Sequence, residues 1–254
     1  MGKLFTFGTH KPTSMKKILF GIIIILITAS GCREVFGKRI RGNGHIQTES
    51  RSTSSFNGVD VSGAIDIYVK EDSVSSVRVK ADENLLQYID VHNENGTLHI
   101  HESERVNLKP TRGIKVYVAG PEFRRFEASG ACNIYSENKV SGTDVIDIDL
   151  SGASDVKMEL KAPKVHAELT GAGTIALKGE TKDFSVDGSG STNIRCFDLM
   201  AENVDVEISG AGDADVFASV KLDVRVSGAG SVRYKGSANV NQRVSGAGSV
   251  KKVD

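Results

Sequence analysis

Apolar and polar residues alternate in short runs along residues 126–250, which is typical of β-strands with one face turned inward. The runs are organised around a recurring Ser/Thr-Gly pair. In the copy at Ser151, Ile148 and Leu150 precede the pair at alternate positions, and Val156 begins a second apolar and polar alternation after it. The pattern therefore predicts two short strands in each repeat, joined by a corner at the Ser/Thr-Gly pair.

The pair opens a hexapeptide of the type Ser-Gly-Ala-Gly-Asn-Ile, and from residue 129 onward successive copies lie 18 to 22 residues apart. The copies begin at Ser62, Ser129, Ser151, Thr170, Ser189, Ser209, Ser227 and Ser245. Such a period is the signature of a solenoid, in which each unit buries its apolar side only by stacking on its neighbours. We therefore predict an all-β domain over residues 52–254, a parallel β-helix (solenoid) with about 18–20 residues per coil.

Residues 56–125 are less regular. An alternating pattern over residues 89–101 surrounds Asn95-Gly96, the strongest short-range signal for a β-hairpin. We expect this N-terminal part to extend or cap the solenoid, because an exposed coil end is an adhesive sheet edge.

The first fifty residues have the pattern of a targeting segment. Met15 precedes two lysines and an apolar run over residues 18–29, which is shorter than the roughly 20 residues that a membrane span needs. Small residues then lead into Cys32, as in the lipobox of bacterial lipoproteins. We predict an export signal over residues 1–31 with its true start at Met15, a lipidated Cys32, and a flexible tether through residue 51. The alternative is a cleaved secretory signal followed by an incidental cysteine.

Composition narrows the choice of function. The chain has no Trp and only 6% aromatic residues, so its core is thin, as in stacked β-layers. From Ser52 onward 30 acidic residues oppose 23 basic ones, a net charge of −7. We expect no nucleic-acid partner, because such proteins carry a basic stripe.

Carboxylates recur two and four places before the repeated motif. They are Glu127, Asp147, Asp149, Glu168, Asp187, Asp205 and Glu207. In a parallel stack, equivalent residues lie about 4.8 Å apart, so these side chains form a candidate face for Ca²⁺ or a cationic partner. The alternative is a solvated surface. On the other side of the corner, the position six places after the start of the motif is occupied by Tyr135, Lys157 and Arg195 in different repeats. This predicts separate acidic and basic faces.

The predicted hairpin brings three imidazoles together with a carboxylate. Pairing across Asn95-Gly96 places His92, His99, His101 and Asp90 on one face. Such a group can bind Zn²⁺, although an ordinary polar hairpin face has the same pattern. The sequence indicates no other cofactor.

Cys132 and Cys196 lie three coils apart in the predicted stack. Three layers place them about 14 Å apart along the axis, beyond the roughly 7 Å that a disulfide allows between Cα atoms. We predict that they are not bridged.

Three features together resemble one protein family. They are the lipobox, the segment FNGVDVSGAIDI from Phe56 followed by the hairpin sequence NGTLHI from Asn95, and the serial Ser-Gly-Ala-Gly motifs. Over residues 50–250 the chain resembles the head GIN domain family of bacterial envelope lipoproteins, described as autotransporter adhesins. The resemblance implies a β-helix and supplies no catalytic residues.

We accordingly expect a non-catalytic lipoprotein, exported and lipid-anchored in the outer membrane of the cell envelope. It would present its β-helical surface to a glycan or protein ligand. Two alternatives remain open. One is a polysaccharide-acting enzyme that uses Asp147 with Asp149, or Asp205 with Glu207, as acid and base. The other is an envelope-stress or scaffolding module of the toast-rack type, which rests on fold alone.

Overall fold

The computed structural model describes residues 37–254, so Met15, the predicted export signal and Cys32 lie outside the described residues. Within residues 37–254 the chain is almost entirely β-structure, with one short 3-10 helix, Glu83–Tyr88. The strands of the N-terminal part are β1 Lys38–Arg41, β2 Ile46–Arg51, β3 Gly58–Gly63, β4 Ile65–Glu71, β5 Ser76–Asp82, β6 Ile89–Glu94, β7 Thr97–Glu102, β8 Val106–Lys109 and β9 Ile114–Gly120. Those that follow are β10 Arg125–Gly130, β11 Asn133–Ser136, β12 Val140–Ser141, β13 Val145–Gly152, β14 Asp155–Gly171, β15 Thr174–Gly190, β16 Asn193–Gly210, β17 Asp213–Gly228, β18 Ser231–Lys235, β19 Asn239–Gly246 and β20 Ser249–Lys252. No helix in this part of the chain has the length and apolar character needed to span a membrane.

The repeated motif aligns in register through the whole stack. The strand that ends at each copy pairs in parallel with the strands that end at the copies before and after it. The aligned first residues are Ser62, Ser129, Ser151, Thr170, Ser189, Ser209, Ser227 and Ser245. The predicted parallel β-solenoid is therefore confirmed.

The long strands β14, β15, β16 and β17 each cover most of one coil. Within β14, residues 155–162 pair with residues 174–181 of the next coil, and residues 164–171 pair with residues 183–190. Inward and outward side chains alternate along both parts, as the sequence pattern predicts. One coil therefore presents at least two differently oriented outer faces.

The corner explains why the motif contains glycine. Gly171 has φ +117, and a Cβ atom there would lie 2.4 Å from the carbonyl oxygen of Gly152 in the preceding coil. Only glycine combines that backbone conformation with so close an approach. The same crowding against the glycine of the preceding coil recurs at Gly130, Gly152, Gly190, Gly210, Gly228 and Gly246.

The core is a set of ladders of medium-sized apolar side chains. One ladder runs from Leu98 and Val59 in the N-terminal part through Phe126 and then through buried residues of successive coils. Its further members are Ile148, Ala167, Val186, Val206 and Val224. The ladder ends at Gln242, which occupies the equivalent position in the last coil and is exposed. A polar side chain therefore closes the core at the C-terminal end, as terminal repeats require for solubility.

The N-terminal part extends and caps the stack, as predicted. Strands β3 and β4 form the coil next to β10 and β11, although β5 to β9 intervene in the sequence. Strands β7 and β9 pair in parallel with β3 and β4 and form a further layer. The predicted hairpin at Asn95-Gly96 joins β6 and β7 and has the predicted register.

The prediction of a flexible tether is wrong for residues 38–51. Residues 38–41 form β1, which pairs with β8, and residues 46–51 form β2, which pairs antiparallel with β5. Most side chains of both strands are exposed, so the sequence shows no apolar periodicity there. The backbone hydrogen bonds of the sheet edges hold these strands, together with the buried carboxylate of Asp82, which accepts from the N–H of Gly44 at 2.7 Å.

Cys132 and Cys196 are both buried and not bridged, which confirms the prediction from coil spacing. Burial raises the pKa of the Cys132 thiol, and it raises the pKa of the Cys196 thiol to about 12. Both thiols are therefore protonated, inert parts of the core at neutral pH.

Candidate functional site

A single file of carboxylates runs along one outer face of the solenoid. Each member pairs in register with the next across six successive coils. We call this file the acidic row: Asp60, Glu127, Asp149, Glu168, Asp187 and Glu207. At the spacing of parallel strands the row is about 24 Å long. All members except Asp60 were predicted from the sequence; Asp60 stands two places before the motif at Ser62 and obeys the same spacing rule.

Basic side chains lie close to the row towards its two ends but not in its middle. His99 lies 2.9 Å from Asp60 and Arg125 lies 3.1 Å from Glu127 at one end, and Arg225 lies 4.0 Å from Glu207 at the other. Among residues 37–254, no Lys, Arg or His nitrogen comes within 4 Å of the carboxylates in the middle, which are Asp149, Glu168 and Asp187. The negative charge is therefore concentrated at the centre of the row.

The pKa values of the central aspartates reflect this arrangement. Partial burial raises the pKa of Asp149, and the charges of Glu168 and Asp147 raise it further against the opposing effect of Arg125. Burial likewise raises the pKa of Asp187, and the charges of Glu207 and Asp205 raise it further against the opposing effect of His166. For both carboxylates, burial and neighbouring negative charge outweigh the positive charges nearby, and neither forms an ion pair with another described residue.

A groove accompanies the acidic row on the side of the corner. Two cavities of about 360 and 370 Å³ lie end to end along it and share Glu168 and Thr170. The motif hydroxyls form the second wall of this groove: Ser129, Ser151, Thr170, Ser189 and Ser209. A file of carboxylates that accept hydrogen bonds therefore runs beside a file of hydroxyls that donate or accept them, along one extended groove.

The second file of predicted residues is mixed in charge. Asp147 and Asp205 lie beside the acidic row, but their file also contains Arg125, His166 and Ser185. Asp205 accepts from Arg225 at 3.2 Å. These two aspartates lie on the same face without continuing a row of carboxylates.

The opposite side of the corner carries an aromatic and basic row, which confirms that the two faces are separate. Tyr117, Tyr68 and Tyr135 stack with centroids 5.1 and 5.4 Å apart. The file continues in register through Lys157, Ala176, Arg195, Asp215, Arg233 and Lys251. Tyr68 was missed from the sequence although it stands six places after the motif Ser62, as Tyr135 does after Ser129. The ring faces of these tyrosines contact one another. The guanidinium of Arg78 lies over the outer face of Tyr117, 5.3 Å from the ring centroid.

The hairpin groups two of the three predicted histidines. His92 Nδ1 lies 3.0 Å and His101 Nε2 lies 3.5 Å from the same oxygen of Asp90. His99 is stacked on His92, but its Nδ1 contacts Asp60 at 2.9 Å instead. The expected set of three imidazoles and one carboxylate is therefore divided between two carboxylates.

A β-solenoid with long charged rows on its outer faces defines a protein that presents an extended surface. The chain belongs to the family described as "Putative auto-transporter adhesin, head GIN domain", whose model matches residues 55–238. This confirms the resemblance found in the sequence. No curated protein matches the chain.

Several solved structures share the fold. A "putative adhesin" from Bacteroides fragilis is 23% identical with a TM-score of 0.80, and the match covers 84% of this chain and all of that one. A "putative lipid binding protein" from Parabacteroides distasonis is 24% identical with a TM-score of 0.72, covering 85% and 100%. A "putative adhesin" from Parabacteroides merdae is 24% identical with a TM-score of 0.69, covering 86% and 100%. At these identities the likeness concerns the fold alone.

Proposed function

We propose that this protein is a non-catalytic adhesin of the cell envelope, which binds an extended, positively charged partner along the acidic row. The family description supports a role in adhesion and an extracellular or envelope-exposed location. The partner would be a surface glycan that bears free amines or a lysine-rich protein segment.

The observation that carries the proposal is that the carboxylates at the centre of the row form no ion pair with any described residue. Burial raises the pKa values of Asp149 and Asp187, and the groove beside them is lined with hydroxyls. A ligand amine at this place would stabilise the ionised carboxylates, while the hydroxyls would bond to the polar groups of the same ligand. Because the carboxylates repeat at constant spacing, a repeating linear ligand fits better than a compact one.

Ca²⁺ is a second occupant that the same chemistry favours. Hard divalent cations prefer carboxylate and hydroxyl oxygens, and the row offers both. A bound Ca²⁺ would allow the acidic row to bridge to an acidic glycan. The two modes are distinguished by whether binding of a cationic ligand needs the metal.

The anchor of the proposed adhesin is the lipid on Cys32. The sequence around this residue supports lipidation after export, and we place the protein in the outer membrane on the same grounds. Because β1 begins at Lys38, the link from Cys32 to the first strand is at most about 21 Å long when fully extended. The solenoid would therefore be held close to the membrane surface.

The enzymatic alternative is less well supported. Arg225 lies 3.2 Å from Asp205 and 4.0 Å from Glu207, so one guanidinium engages both members of that candidate acid and base pair. A general acid must instead be free to hold and release a proton. The adhesin description of the family also favours binding over catalysis.

A binding experiment with two charge-matched variants tests the proposal. The first variant combines Asp149→Asn, Glu168→Gln and Asp187→Asn. The second removes the same number of charges elsewhere, by Glu180→Gln, Asp198→Asn and Glu202→Gln, at exposed positions away from the row. The probe is fluorescent polylysine, measured by anisotropy with Ca²⁺ or with a chelator.

We expect the acidic-row variant to bind polylysine at least tenfold more weakly than the charge-matched variant, which keeps nearly full affinity. Equal weakening in both variants would mean that only net charge matters, and it would overturn the proposed site. Binding that requires Ca²⁺ would favour the bridging mode.

A further inference from the structure

The hairpin at the N-terminal end of the solenoid carries a cluster of metal-ligand side chains that is separate from the acidic row. Asp90 and His92 lie two residues apart on β6, and His101 lies directly opposite Asp90 on β7. Strand geometry points all three side chains to the same face of the hairpin. Their ligand atoms lie within 4.8 Å of one another.

The distances match a tetrahedral metal closely. Two ligands bound to one Zn²⁺ at ordinary bond lengths are about 3.4 Å apart. The oxygen of Asp90 lies 3.0 Å from Nδ1 of His92 and 3.5 Å from Nε2 of His101. Two edges of the coordination polyhedron are therefore present, and a small rotation of the imidazoles would complete the third.

The Nε2 atom of His101 faces Asp90, so this nitrogen is the one that would bind the ion. Its Nδ1 is buried, and no described residue supplies the second hydrogen bond that usually orients a ligating imidazole. The nitrogen available to an external ligand is therefore defined. The carboxylate of Asp90 is half exposed, so an ion can reach the cluster from solvent.

We propose that Asp90, His92 and His101 form a binding site for a divalent transition metal of the Zn²⁺ type. Two imidazoles and one carboxylate suit Zn²⁺, Ni²⁺ and Cu²⁺, whereas Ca²⁺ and Mg²⁺ prefer oxygen ligands alone. Three protein ligands leave a fourth position open to water or to a group from another molecule.

His99 lies next to this site without belonging to it. Its ring stacks on His92 with centroids 5.2 Å apart, while its Nδ1 donates to Asp60 at 2.9 Å. The stacking fixes the position of the His92 ring from one side. His99 is therefore a positioning residue, and its loss should weaken metal binding much less than loss of a ligand.

The site is tested by titrating the purified protein, prepared without a polyhistidine tag, with Zn²⁺ in a calorimeter. All samples carry Cys32→Ser so that this thiol cannot bind the metal. The ligand variants are Asp90→Asn, His92→Ala and His101→Ala. The matched control is His45→Ala, since the His45 side chain is 79% exposed and lies outside the cluster.

We expect one Zn²⁺ to bind per chain. The affinity for Zn²⁺ should fall on the order of tenfold or more in each ligand variant and stay unchanged in the control. Co²⁺ should give the intense visible absorption of tetrahedral coordination, and the ligand variants should lose it. Unchanged melting temperatures without metal would show that the variants fold. Absence of saturable binding, or ligand variants that bind like the control, would overturn the site. The result does not depend on the acidic row.

Discussion

The amide of Ala172 donates a hydrogen bond of 2.8 Å to the carbonyl oxygen of Gly152 in the preceding coil. The same bond recurs at other corners, where the residue after each motif glycine donates to the glycine one coil earlier. The corners are therefore stacked as tightly as the strands. This continuity keeps equivalent side chains in register, and it is the reason that carboxylates spaced 19 to 22 residues apart from Glu127 onward form a straight row.

The corner glycines should tolerate no side chain. In Gly171→Ala the new Cβ would lie 2.4 Å from the carbonyl oxygen of Gly152, at a residue with φ +117. We expect the free energy of unfolding to fall by about 3–5 kcal/mol, from backbone strain and overpacking together. Urea denaturation measures the loss.

Gly44→Ala is the matched control for this substitution. Gly44 also has positive φ, +82, but no atom lies within 4 Å of the added Cβ. Backbone strain alone predicts a loss of about 1–2 kcal/mol. Equal losses in the two variants would show that the close contact between corners contributes nothing.

Asp82 should contribute stability that is lost in acid. Burial acts to raise the pKa of this carboxyl, but hydrogen bonds from the N–H and hydroxyl of Thr111 and the N–H of Gly44 outweigh it, and the pKa is lowered. A lowered folded-state pKa stabilises the protein above the unfolded value near 3.9, and this contribution disappears as the pH falls through the folded value.

We therefore expect Asp82→Asn to lower the free energy of unfolding by about 1–3 kcal/mol at pH 7, and by progressively less below pH 4. Thr111→Val, which removes only the hydroxyl donor, should have a smaller effect with the same pH dependence. A loss for Asp82→Asn that is independent of pH would contradict the role of the ionised carboxylate.

The central aspartates of the acidic row should behave in the opposite way. Burial raises the pKa values of Asp149 and Asp187, so their ionised forms oppose folding at neutral pH, and this penalty is relieved as the pH falls through the raised values. Asp187→Asn should stabilise the protein at pH 7 by less than about 1 kcal/mol, because solvent screens the charge. Thermal melts at pH 7 and pH 3.5 should show the gain only at the higher pH. Destabilisation at pH 7 would refute this.

Cys32 should carry a lipid. Metabolic labelling with an alkyne fatty acid is expected to mark the wild-type protein and not Cys32→Ser, because the thiol is the acceptor. Cys132→Ser is the control, since that thiol is buried in the core and should not affect labelling. Equal labelling of the wild type and Cys32→Ser would exclude lipidation at this residue.

The parts of the structure that follow the repeat could be predicted from the sequence. Constant spacing determines the register, so the positions of Glu127 and Glu207 on one row followed from counting residues. Asp60 obeys the same rule but belongs to a coil separated from the others by β5 to β9. Because this interval is much longer than one repeat, counting residues does not predict that Asp60 joins the row.

Two kinds of feature could not be predicted from the spacing of the repeats. They are strands held only by backbone pairing, and side chains that can contact more than one neighbour. Strands β1 and β2 have mostly polar side chains, so only the unpaired sheet edges that they cover explain their formation. His99 faces both His92 and Asp60, and only the pairing of β7 with β3 brings it to Asp60. Alternation along a strand predicts the face of a side chain but not its partner on the adjacent strand.

An array of glycans and surface proteins, including amino sugars with free amines, tests most directly whether the acidic row is the adhesive surface. The wild type should bind at least one cationic or amine-bearing ligand, with affinity that falls as salt rises. The variant that combines Asp149→Asn, Glu168→Gln and Asp187→Asn should bind this ligand at least tenfold more weakly than the wild type. The charge-matched variant with Glu180→Gln, Asp198→Asn and Glu202→Gln should keep nearly the full affinity. Ligand binding that survives in the acidic-row variant would contradict the account.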